Sequence, residues 1–222
     1  MAIRIPEKRK TGSSVTPTKS PYVKKREETL IGKVKKAANK TVKQIEEAIT
    51  GESRSSEPML RKFFVDSLRD IYWAEKQLTK ALPKMRKGAT TAELQNCFAR
   101  HTEETKIHIQ RLEQIFELLG EKARSKKCEA MEGLIEEGNG LMGETESGTA
   151  TRDVALILAA QKVEHYEIAT YGGLAQLART LGEVRVADIL ETTLAEEKEA
   201  DILLTEIAED HVNYDSSMEE ED

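Results

Sequence analysis

From about residue 58 to residue 210, apolar side chains recur every three or four positions and nowhere alternate as they do in strands. The first long stripe, Phe64, Leu68, Ile71, Leu78 and Leu82, predicts a helix from about Pro58 to Met85. Ser56 is its expected N-cap, and Pro83 bends or ends its last turn. The second, Leu94, Cys97, Phe98, Leu112, Ile115, Phe116 and Leu119, predicts a helix over about 91–119. Thr90 with Glu93 reads as its capping box, and Gly120 as its stop. A short helix is expected near Cys128–Glu137, then a glycine-rich stretch from Gly138 to Gly148. A third long helix covers about 152–180, and a fourth runs from after Gly182 to about Asp210.

The connections set the topology. Short loops after the first and third long helices imply two antiparallel hairpins, and the long link between the second and third implies a crossover. The expected fold class is therefore all-α, a ferritin-like four-helix bundle with a long crossover and a short extra helix, over residues 58–210.

The flanks differ from this body. Residues 1–26 hold three of the chain's prolines among Ser, Thr and Lys, with no period, and read as disordered. Over residues 27–49, Ile31, Val34, Ala38, Val42, Ile45 and Ile49 form an amphipathic stripe with lysines opposite, and residues 50–56 read as a linker. The ending, 211–222, reads as an acidic disordered tail. The net charge of -6 conceals a split: residues 1–57 carry 14 Lys/Arg against 7 Asp/Glu, and the rest is acidic. A basic arm of this kind suits nucleic acid or an acidic partner, or is simply a solvated tail. Mean hydropathy is -0.55, and no stretch approaches the roughly 18–20 apolar residues that span a bilayer, so no membrane partner is expected. Two cysteines, Cys97 and Cys128, make no disulfide framework and read as free thiols. With no apolar leader after the N-terminus, the expected location is the cytoplasm.

The inner stripes contain residues that packing alone does not explain. Glu75 sits between Ile71 and Leu78, His101 and Glu104 lie between Phe98 and Leu112, and His108 continues that stripe. Glu164 falls between Gln161 and Ile168, and Glu197 between Thr193 and Leu204. Ionised carboxylates buried without partners are costly, and several together repel one another, so cations are the simplest remedy. Axial level agrees. Glu75 is 13 residues before Gly88, and His101 and Glu104 are 13 and 16 after it; Glu197 is 15 after Gly182, and Glu167 and Glu164 are 15 and 18 before it. At about 1.5 Å per residue the members of each hairpin fall within one turn of each other. Glu75, His101, Glu104, Glu164, Glu167 and Glu197 are therefore the candidate ligands of two metal ions per chain. Glu197 lies in the run Glu196-Glu197-Lys198-Glu199, where one position separates interior from solvent. Hard oxygen donors favour iron or manganese without choosing between them. Tyr72, Tyr166 and Tyr171 lie on or beside these stripes, as packing residues or as redox neighbours.

Several segments resemble the YciE/YciF family of ferritin-like stress proteins: Leu68-Arg69-Asp70-Ile71-Tyr72-Trp73-Ala74-Glu75, His101-Thr102-Glu103-Glu104-Thr105, Cys128-Glu129-Ala130-Met131, Ala159-Ala160-Gln161-Lys162-Val163-Glu164-His165-Tyr166-Glu167 and Thr193-Leu194-Ala195-Glu196-Glu197. The resemblance covers about 59–210. It implies a homodimer with a dinuclear iron or manganese site and ferroxidase-like or peroxide-handling chemistry. One departure stands out. The broader di-iron pattern has Glu-x-x-His on two helices, whereas here the second helix reads His101-x-x-Glu104 and the fourth has no histidine after Glu197. A carboxylate-rich, nitrogen-poor site is expected. The leading function is a ferroxidase that oxidises Fe2+ with oxygen or peroxide. The rivals are a non-enzymatic stress or interaction protein with a structural metal site and a basic arm, and a manganese-catalase-like peroxide remover.

Overall fold

The computed structural model describes residues 59–220. The expected arm at 1–57, its amphipathic helix at 27–49, its linker and the Ser56 cap lie outside the described residues. All regular structure among the described residues is helical. Helix α1 occupies 59–88, α2 Ala92–Leu118, α3 Glu129–Glu144, α4 Ala150–Thr180 and α5 Val184–Ile207. A π-helical turn, Ala208–Val212, and a short α6, Asn213–Ser217, follow. Helices α1, α2, α4 and α5 form a ferritin-like four-helix bundle, with α3 inside the long α2-to-α4 connection and packed on α4.

The stripes became the core. Phe64, Leu68, Ile71, Leu94, Phe98, Leu112, Ile115, Phe116, Leu156 and Leu190 are all essentially without solvent exposure. Each such side chain contributes roughly 1.5–3 kcal/mol on burial. Gly120 and Gly182 end α2 and α4 with φ of 70° and 80°, the left-handed region where a Cβ is strained. At both ends the backbone closes the same way. Glu121 N donates to Phe116 O (2.8 Å) and Gly120 N to Glu117 O (3.0 Å); Glu183 N donates to Ala178 O (2.9 Å) and Gly182 N to Arg179 O (3.1 Å). These paired bonds satisfy the last carbonyls and turn the chain sharply into the next element.

Four local expectations change. Thr91, not Thr90, caps α2: its hydroxyl accepts from Leu94 N, while the buried Asp153 carboxylate of α4 accepts from Thr90 N and Thr91 N. Pro83 lies within α1, which continues to residue 88. Helix α3 runs to Glu144, through glycines expected to be irregular, with Gly138 buried beside Ala159 of α4. The expected disordered tail from 211 is helical as far as Ser217. Val212 is fully buried, and Glu219 accepts from Ala150 N (2.6 Å) and Thr151 N (2.9 Å), filling free amides at the α4 N-terminus.

Candidate metal centre

Every long helix delivers a donor to the bundle axis. Glu75 comes from α1, His101 and His108 from α2, Glu164 and Glu167 from α4, and Glu197 from α5. All six are buried, with Glu75, Glu167 and Glu197 at 0 % exposure. Their donor atoms fall into two groups, each with all atoms within 4.8 Å of one another: His101, Glu164, Glu167 and Glu197 in one, Glu75, His108 and Glu197 in the other. Glu197 is common to both, so that one carboxylate could serve either group.

Among the sequence candidates, Glu75, His101, Glu164, Glu167 and Glu197 converge, and Glu104 stays outside both groups. Its side chain is 23 % exposed, and its Oε1 accepts from Arg100 Nε at 2.7 Å. Its other oxygen lies 3.5 Å from His101 Nδ1, on the side of the ring away from the cluster. The residue that sequence reasoning missed as a donor is His108. Helical geometry gives the reason. At about 100° per residue, position 108 returns to within ~20° of position 101, whereas 104 stands ~60° off. The same three-residue spacing on α4 leaves Glu164 and Glu167 both buried, Glu164 beside His101 and Glu167 among the charges of Glu75, Glu197 and Glu164. The donor set thus becomes four carboxylates and two imidazoles. That is the composition of the ferritin-like dinuclear pattern, with His-x6-His on α2 and Glu-x-x-Glu on α4 replacing the two Glu-x-x-His pairs. The nitrogen-poor site expected from the sequence is corrected accordingly.

The two histidines face the cluster with different nitrogens. His101 Nε2 lies 3.3 Å from Glu164 Oε1 and 3.8 Å from Glu197 Oε2. His108 Nδ1 lies 3.0 Å from Glu197 Oε1 and 3.5 Å from Glu75 Oε1, while its Nε2 bonds Glu196 Oε2 at 2.8 Å. Arg111 holds both oxygens of Glu196, and Tyr171, itself buried, donates its hydroxyl to Glu75 Oε1. Of the three tyrosines only Tyr171 touches a donor carboxylate; Tyr72 donates to Glu113, and Tyr166 bonds Cys128 and Asp70. His165, beside Glu164 in sequence, is exposed and pairs with Asp201.

The electrostatics are those of a site short of cations. Burial, then the charges of Glu75, Glu197 and Glu164, push Glu167 far above the usual carboxylate range. Burial drives Glu197 up to about 7, although His108 pulls the other way. Burial works against charge on His108, but Glu197 and Glu75 overcome it and raise that imidazole to about 10. His101 is raised in the same way by Glu164 and Glu104 against its burial. Glu104 itself is held down to about 2, by His101 first and Arg100 next.

The residues fit metal ions. Glu75 Oε2, His101 Nε2, His108 Nδ1, Glu164 Oε2 and both oxygens of Glu167 and Glu197 are buried without a hydrogen-bond partner. A native interior leaves only a few such atoms per hundred residues, and here they gather on the residues of two adjoining groups. Four carboxylates and two neutral imidazoles carry the charge that two divalent ions balance, and a carboxylate-dominated set suits iron or manganese.

Comparison with known proteins agrees with this architecture. The model of a domain of unknown function, DUF892, matches residues 59–217. The chain is 50% identical over 129 residues to protein YciF of Escherichia coli strain K12, an overlap of 58% of this chain and 77% of that protein. The crystal structure of the E. coli stress protein YciF superposes with a TM-score of 0.67 at 48% identity, covering 69% of this chain and 97% of that one. YcfI of Rhodopseudomonas palustris gives 0.64 at 43% identity, over 66% of this chain and 92% of its own. A Xanthomonas campestris protein gives 0.55 at 26% identity, over 69% and 94%.

Proposed function

The chain belongs to the DUF892 family, with E. coli YciF among its relatives, and on that premise we propose that it is a metal-handling stress protein whose buried cluster oxidises ferrous iron. The observation that carries the reading is the set of orphaned donor atoms in two groups joined by Glu197. Two ferrous ions are the substrate. His101, Glu164 and Glu167 would hold one, Glu75 and His108 the other, with Glu197 reaching both. Adjacent iron pairs can give up two electrons together. With hydrogen peroxide, two Fe2+ supply those electrons and two protons are taken up, giving two Fe3+ and two waters without release of hydroxyl radical.

The chain's own part is to bind, orient and handle protons. Glu167 and Glu197, whose burial favours the protonated form, release protons as cations arrive. Tyr171 occupies one oxygen of Glu75, which leaves Oε2 of that carboxylate for the cluster. Apolar core residues before and after Glu75 on α1, Leu68 and Ile71 on one side and Leu78 on the other, shield the cluster from bulk water.

The first test is elemental analysis after anaerobic loading with iron and manganese in competition, followed by an iron-oxidation assay with oxygen and with peroxide. Two ions per chain, the one beside His101 lost in Glu164→Ala, and iron oxidation lost with it, support the ferroxidase. Iron oxidation that is unchanged in Glu164→Ala defeats it. Oxygen evolution from peroxide by the manganese-loaded protein, without iron oxidation, favours the catalase-like reading instead.

A further inference from the structure

The second group of donors holds its histidine in an unusually determined way. Glu196 Oε2 lies 2.8 Å from His108 Nε2, and Arg111 donates from both terminal nitrogens to the two oxygens of that same carboxylate. Arg111 Nη1 also donates to Thr193 Oγ1 (3.3 Å), one turn earlier on α5, so the guanidinium is tied to the helix that carries Glu196. An ionised carboxylate only accepts hydrogen bonds, so Nε2 must carry the hydrogen. In a neutral imidazole the lone pair then belongs to Nδ1, which points between Glu197 Oε1 and Glu75 Oε1.

His101 has no comparable clamp. Its outer nitrogen, Nδ1, is 3.5 Å from Glu104 and makes no hydrogen bond, and Glu104 is drawn toward Arg100. The two groups therefore differ: four residues around a loosely backed ring, against three residues around a fixed one.

We propose that Glu196, held by Arg111, is a positioning residue that fixes His108 as an Nδ1 donor to the metal group it shares with Glu75 and Glu197. This rests on the metal-centre reading above. A carboxylate behind a ligating histidine fixes its tautomer and ring orientation, and its loss typically costs about 10–100-fold in metal affinity. Here the cost falls on one ion of the two, because His108 is the one donor residue of the two groups that Glu196 is bonded to.

The test uses the full chain. Mn2+ affinities are measured by chelator competition for the parent, Glu196→Ala, Glu196→Gln and Arg111→Lys. A nitrogen-15 histidine spectrum of the Zn2+-loaded protein reports which ring nitrogen is ligated. The expected result is two ions in the parent, with His108 bound through Nδ1 and protonated at Nε2. Glu196→Ala weakens one ion about 10–100-fold and spares the other. Glu196→Gln, whose amide oxygen still accepts, recovers part of the loss, and Arg111→Lys, which keeps charge but not the paired geometry, falls between. Those two variants carry the test if Glu196→Ala fails to fold. Two ions held with unchanged affinity in every variant, or both weakened equally, or His108 ligated through Nε2, overturns the positioning role and leaves the metal centre standing. A parent that binds no ion overturns both.

Discussion

Glu196 and Glu197 are consecutive on α5, yet they meet opposite nitrogens of one imidazole: Glu197 Oε1 lies 3.0 Å from His108 Nδ1 and Glu196 Oε2 lies 2.8 Å from its Nε2. The pair straddles the boundary of the core, Glu197 at 0 % side-chain exposure and Glu196 at 30 %. One glutamate serves the cluster and its neighbour holds the ring that serves it.

Glu197 is the one donor residue present in both groups. Glu197→Gln is expected to lose both ions, whereas Glu75→Gln, which touches one group, retains one. Metal content of the purified variants distinguishes the two. Equal stoichiometry in them would count against a shared carboxylate.

Tyr171→Phe removes the donor to Glu75 Oε1 and leaves a buried carboxylate with one less partner. The expected cost is about 1–3 kcal/mol in denaturant unfolding of the metal-free protein. Loading with Mn2+ should recover part of it, because the ion then compensates the same carboxylate. An unfolding midpoint identical to the parent's would show that the hydroxyl does not support Glu75.

Stability of the metal-free protein should fall as pH rises. Glu197 is raised from its ordinary 4.5 to about 7, and Glu167 is raised further by burial and its acidic neighbours. His108 is raised from 6.5 to about 10. A group whose folded value is raised stabilises fully below its unfolded value, and loses that contribution as pH climbs through the folded one. The Glu197 contribution thus fades between pH 4.5 and about 7, and that of His108 between 6.5 and about 10. Glu104, held down to about 2, acts oppositely but only below its ordinary 4.5. Melting temperature should therefore be lower at pH 8 than at pH 5.5 without metal. Added Mn2+ should reverse the order, since ions replace the protons. A chelated protein that melts higher at pH 8 would contradict a proton-filled cluster.

All donors lie between residues 75 and 197, so deletion of residues 1–57 should leave two-ion binding intact. The excess of basic residues in that arm makes a separate prediction. If the arm meets nucleic acid, the full chain retards duplex DNA, the effect falls steeply as salt rises, and it vanishes on truncation. Retardation that survives truncation would place the contact elsewhere.

Much of the fold was legible because helical periodicity is local. Phe64, Leu68 and Ile71, or Leu112, Ile115 and Phe116, announce buried faces by spacing alone, and Gly120 and Gly182 announce ends. Boundaries that depend on another helix were not legible. Thr90 and Thr91 are equivalent as sequence, and it is Asp153, some 60 residues on, that receives both of their amides. The end of the bundle was misplaced for the same reason, since Val212 is buried by helices distant in sequence and Glu219 finds its partners at the start of α4.

The sequence by itself determined that carboxylates and histidine enter an apolar interior at one level, because 1.5 Å of rise per residue and a hairpin turn fix level from counting alone. It placed Glu75, His101, Glu164, Glu167 and Glu197 there, and the structure gathers those five. Only the tertiary structure decided the sixth donor and the division of labour around it. Whether a residue ~60° off a stripe is inside depends on what covers that flank. On α4 that position is enclosed, and Glu167 is fully buried facing Glu75 and Glu197; on α2 it reaches solvent, and Glu104 turns outward to Arg100, leaving His108 to complete the set.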